Sequence, residues 1–231
     1  MADGRLDQPK GALRVDGLQR TPANFLRVGV ISMVTVDEFR SLLKGARPLD
    51  IVDKVLLQEP AVHLPPDKAQ LVASALAINY GVDVGEVNII PTGSAHLGFS
   101  LVEKRRKEEP ALPRYRPYGI HSDIDVAVIS IPIFDRIWQE LTVYYARGTR
   151  FPPDGGPLAD YFLCGWFRPD HIPKGVWLPR CEKWWDTFNQ LSRNPAFQPR
   201  RVRGGIFNSL FHLRHYLSRA VRECIQHEET A

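Results

Sequence analysis

Two short segments hold the residues whose types and spacing suggest chemistry. Gly93-Ser94 follows the run Val87-Asn88-Ile89-Ile90-Pro91-Thr92, and Asp123 and Asp125 flank Ile124 at the head of the run Val126-Ala127-Val128-Ile129. In an extended strand, residues i and i+2 point to the same face. Asp123 and Asp125 are therefore expected to project together, with Ile124 turned into the core. Two carboxylates this close repel each other unless a cation sits between them. Mg²⁺ (or Mn²⁺) takes oxygen ligands and links carboxylates to phosphates. A Gly-Ser turn leaving a strand brings backbone N–H groups and a hydroxyl towards phosphate oxygens: glycine allows close approach and serine adds a donor. A phosphate cradle beside a two-acid clamp is what nucleotide transfer requires. Gly93 and Ser94 are the expected phosphate holders, and Asp123 and Asp125 the expected metal ligands. Ser122 is a further nucleotide-site candidate, able to orient Asp123; an ordinary turn role competes for it, as for Ser100.

These segments need elements to position them. Thr35 can cap a helix from Val36 that Gly45 stops. Further helices are expected over Leu49–Gln58, from Pro65-Pro66 to Gly81, over Phe134–Ala146, over Trp177–Leu191 and over Ile206–Ile225. Strands are expected at 87–92 and 123–130, the second buried on both faces. Arg200–Phe207 is also strand-like. Prolines and charges make 103–119 an exposed loop, and 148–175 is loop-rich with one short element at 160–167. Residues 1–24 are expected to be a loose tail, 25–150 a core carrying the site, and 151–231 a loop-rich and helical part packed on that core.

A strand, Gly-Ser and a helix, followed by a strand with Asp-x-Asp, resembles the nucleotidyltransferase superfamily, the DNA polymerase β-like fold. The resemblance covers about residues 85–132. It implies an α/β (α+β) fold with a short mixed sheet, flanking helices and a helical C-terminal part. It also implies Mg²⁺-dependent transfer of a nucleoside monophosphate from an NTP to an acceptor hydroxyl on RNA, protein or a small molecule. Small bacterial members point to a toxin–antitoxin or phage-defence setting. Two departures matter. The segment between Ser94 and Asp123 is long for the family, and no third carboxylate stands on Arg200–Phe207, which offers arginines instead. Asp160 is the leading candidate for that third catalytic acid, and Asp170 the next. The alternative is a catalytically inactive module of the same fold that binds nucleotide, RNA or a protein partner.

Other residues have competing bland readings. Lys104-Arg105-Arg106-Lys107 with Arg114-Tyr115-Arg116 would grip nucleic-acid phosphate or form a solvated loop offset by Glu103, Glu108 and Glu109; the solvated loop is preferred. Arg200, Arg201 and Arg203 would bind a triphosphate or an acceptor strand, or stay solvated. The five tryptophans read mainly as core, His96 and His121 as surface or structural residues rather than phosphate contacts or proton acceptors, and His212 with His215 as no metal site. The 231 residues are 44% hydrophobic and 24% charged, which excludes whole-chain disorder. No apolar run approaches the about 20 residues a membrane span requires. Three cysteines without a Cys-x-x-Cys pair suit a reducing compartment. A net charge of +4 permits a polyanionic partner without demanding one. The expectation is a soluble, cytoplasmic protein that takes an NTP, meets an RNA or protein partner, and does not engage a membrane.

Overall fold

Alternation along one strand sets the centre of the molecule. Ile124, Val126 and Val128 enter one apolar core, while Ala127 and Ile129 face a second. Their β-branched side chains suit the pleat and form strand β2 (Ile124–Ile129). β1 (Asn88–Thr92) pairs with it antiparallel on one side, and β4 (Val202–Phe207) pairs parallel on the other. The two-residue β3 (Trp166–Phe167) lies antiparallel on β4, giving a mixed sheet of order β1-β2-β4-β3. The computed structural model describes residues 34–105, 110–147, 156–169, 172 and 176–230. The tail expected over 1–24, Arg106 and Lys107 of the basic loop, and Asp170 lie outside the described residues.

Helices cover both faces of the sheet, a mixed α/β architecture. On the Ile124–Val128 side pack α3 (Pro66–Tyr80), α5 (Ile131–Ala146) and α7 (Pro179–Arg193), through Leu76, Ile133, Ile137 and Trp184. On the other side lie α1 (Val36–Leu43), α2 (Pro48–Ile51) with the π-helical turn Val52–Leu57 that continues it, and α8 (Leu210–Thr230). Burying one such Leu or Ile contributes about 1.5–3 kcal/mol. Local signals set the ends. Glu38 N–H donates to Thr35 Oγ1 at 3.2 Å and Thr35 N–H donates back to Glu38 Oε2 at 2.8 Å, a reciprocal cap on α1. Gly81 ends α3 in the left-handed region at φ +62°.

Ser32–Ala231 forms one compact unit. Residues after 150 share its cores: Leu158, Phe167 and Ile206 pack with Val72 and Ile133. The short element expected at 160–167 is helix α6 (Gly156–Leu163) followed by β3. The last helix begins at Leu210 rather than Ile206, because Ile206 and Phe207 are held in β4 by pairing with Val128 and Ile129. The described part of the 103–119 loop has no regular element, only two isolated bridges, Lys104 with Leu112 and Pro117 with Phe99. Its root is fastened by Arg114, which donates to the Leu101 carbonyl at 2.5 Å and lies 3.5 Å from Glu223 on α8. Among the described residues no helix is long and apolar enough to cross a membrane.

Gly204 lets α7 approach the sheet, since a Cβ there would stand 2.2 Å from Cζ of the buried Phe188 ring. Gly204→Ala is expected to cost about 1–3 kcal/mol by overpacking. Gly205→Ala, with its nearest atom 3.6 Å away, is expected to stay within about 0.5 kcal/mol. Urea unfolding of both variants checks the contrast.

Candidate functional site

The end of β1 and the start of β2 meet. Thr92 pairs with Asp125, and the chain then turns at Gly93 with φ +61° into the single helical turn α4 (Gly93–Leu97). That backbone suits glycine, and a Cβ added to Gly93 would lie 3.5 Å from Asp125 Oδ2. The turn therefore abuts the carboxylate, although residues 94–124 separate Gly93 from Asp125 in sequence. Gly93, Ser94 and Asp125 line one cleft of about 600 Å³. The Ser94 hydroxyl has no hydrogen-bond partner among the described residues.

Asp123 stands one residue before β2, on the same side as Asp125 by strand geometry. Its Oδ2 lies 3.1 Å from Nε of Arg203. Arg203 comes from β4, where the register sets it beside Asp125. Asp125 opens onto the cleft and is enclosed by protein on its other sides. That enclosure, and then the Asp123 carboxylate, push its pKa above the ordinary value; Arg168, Arg203 and Lys104 oppose the rise. Because water reaches the carboxyl from the cleft, the rise is smaller than full burial would bring.

The remaining walls come from distant segments. Lys104, Arg116, Arg168, Arg203 and Arg219 line the cleft, with Glu103 and Glu223 as its other acids. Positive charge is thus in excess. One wall is aromatic: the Trp166 ring lies 4.4 Å from that of Tyr161 and 4.8 Å from that of Tyr216. Tyr216, Arg219, Ala220 and Glu223 recur at helical spacing along α8 and face the cleft together. Helical spacing on the last helix is the sequence signal that could have found Tyr216, Arg219 and Glu223 together. Arg168 and Tyr161 carried no such signal.

The remaining candidates divide between the cleft lining, which includes Ser100, His96 and Trp166, and other parts of the fold. Asp160 sits exposed on α6 and does not line the cleft, although its neighbour Tyr161 does. Ser122 closes a turn, its hydroxyl accepting from Gly119 N–H at 3.0 Å, and is likewise not part of the cleft lining. Ser100 lines the cleft and bonds locally to Val102. His96 is buried with Nε2 3.0 Å from the Val55 carbonyl, and burial lowers its pKa. His121 is exposed. Of the tryptophans, Trp184 is core, Trp166 lines the cleft, and Trp138, Trp177 and Trp185 are exposed. His212 Nδ1 lies 2.9 Å from Ser209 Oγ at the head of α8. Among the described residues no group of three or more His, Cys, Asp or Glu side chains converges as a metal site. Among the described residues no third carboxylate joins the acid pair, and Arg203 occupies the strand position beside Asp125. Comparison of the chain with family models, with curated proteins and with solved structures returns no match.

The raised pKa has a consequence for stability. Folded Asp125 holds its proton more tightly than the unfolded chain does, so stability falls as pH rises from the ordinary carboxylate value through the raised one. Asp125→Asn removes that fall. The variant is expected to be more stable than wild type at pH 7, with the difference shrinking as pH is lowered towards 4. Urea unfolding of both proteins across that range checks it.

Proposed function

We propose that this chain has the nucleotidyltransferase fold, binds a nucleoside triphosphate with Mg²⁺ (or Mn²⁺), and transfers the nucleoside monophosphate to an acceptor hydroxyl with release of pyrophosphate. One observation carries the reading: the Gly93 turn abuts Asp125 inside a cleft with excess positive charge. The donor set suits the metal, since Mg²⁺ is commonly held by one or two carboxylates together with substrate phosphates. Asp125 opens directly onto the cleft, and Asp123 lies beside it in contact with Arg203. When bound, the ion would offset triphosphate charge and lower the barrier to attack by the acceptor oxygen.

The chain's own residues have definable tasks. Gly93 lets the backbone approach a phosphate, and the Ser94 hydroxyl donates to it. Lys104, Arg168 and Arg203 counter the polyphosphate charge. Tyr161, Trp166 and Tyr216 offer aromatic surface on which a base stacks, worth about 1–3 kcal/mol. The acceptor, whether RNA, protein or a small molecule, would approach through the open side of the cleft.

A second reading has its own observation. Arg203 stands beside Asp125 where a third acid would complete the set. This favours a module that binds nucleotide, RNA or a protein partner without turnover. Incubation with labelled ATP, GTP, CTP or UTP, Mg²⁺ and total RNA or protein extract separates the two. The transfer reading expects label on an acceptor, with Asp123→Ala and Asp125→Ala each losing more than the about 10–100-fold typical of a lost outer-sphere partner. Metal-dependent NTP binding without transfer, abolished by the same substitutions, supports the second reading.

A further inference from the structure

Arg203 is the basic residue that the site's geometry sets against both acids. Its Nε lies 3.1 Å from Asp123 Oδ2, and its strand position sets it beside Asp125 within the same cleft. The pair is half open to solvent, with Arg203 43% and Asp123 27% exposed. Exposed ion pairs of this kind are worth only about 0–1 kcal/mol, so a stronger partner breaks them. A phosphate group is such a partner, because the guanidinium fork matches its oxygens and carries the opposite charge.

We propose that Arg203 is a polyphosphate-binding residue that exchanges Asp123 for a phosphate oxygen, and so couples nucleotide binding to metal binding; this rests on the nucleotide reading given above. With the cleft empty of ligand, Arg203 offsets the charge of Asp123 and weakens that carboxylate as a metal ligand. Once a polyphosphate enters, Arg203 turns to it and Asp123 is released to a divalent cation. Each ligand then raises the affinity of the other by the same factor, as linkage requires. Arg203 thereby acts as a positioning residue that selects for the charged phosphate chain over a bare nucleoside.

Two binding measurements made without any transfer reaction test this. Mn²⁺ alone is titrated by paramagnetic resonance, and inorganic triphosphate is titrated calorimetrically in chelator-treated buffer, which removes any dependence on the base. Against wild type, Arg203→Gln is expected to bind Mn²⁺ about tenfold more tightly and triphosphate about tenfold more weakly, roughly the effect of one charge-assisted contact. Arg203→Lys, which keeps the charge and loses the fork, is expected to fall between on both and guards against a folding defect in the Gln variant. A merely structural role would shift both affinities in the same direction; that result, or no change in either, overturns the proposal. If wild type with triphosphate present binds Mn²⁺ no better than Asp125→Asn does, the underlying nucleotide reading fails instead.

Discussion

Two neighbouring carboxylates, of which Asp125 lines the cleft and Asp123 stands just outside its lining, must be offset by positive charge, and the organisation of the site follows from that requirement. Strand pairing brings the parts together. Thr92 opposite Asp125 carries the Gly93 turn against the acid, and Arg203 arrives beside it on β4. Both neighbours of the acids thus come from backbone register, which a one-residue slip would destroy by turning alternate side chains to the other face. The Val202–Ile206 and Ile124–Val128 alternation into one core guards that register, because slippage would expose those side chains.

The two faces of the sheet divide the labour. The Ile124–Val128 face is packed closely enough that α7 requires a residue without a side chain at Gly204. The opposite face is covered by α8 only over part of its length. Its apolar residues Leu213, Leu217 and Val221 sit on Ala127 and Phe207, while its polar stripe borders the cleft. The small side chain of Ala127 and the bare backbone of Gly205 keep the floor of the cleft low beside the strand ends.

Much of this was legible in the sequence. The capping pair Thr35 and Glu38, the left-handed stop at Gly81 and the alternation through Ile124–Ile129 all act through neighbours in the chain, and the elements they mark appear within a few residues of expectation. The convergence of Gly93 with Asp125 was inferred from residue type, and the pairing of β1 with β2 supplies it. Long-range register was not legible. Nothing local says that Arg203 will meet Asp123, or that Ile206 and Phe207 will be captured by a parallel partner rather than start the last helix. Asp160 drew attention as an acid near an apolar run, but helix α6 turns it to solvent and Tyr161 to the cleft.

The clamp made by Arg114 reaches beyond local stability. It joins the root of the long connection after Ser94 to Leu101 and to Glu223, so one guanidinium ties the loop to α8 at the edge of the cleft. Widening the aperture at that point would strain the clamp or drag α8 along with the loop. The loop root and α8 therefore form a shared frame at that edge of the cleft rather than independent walls.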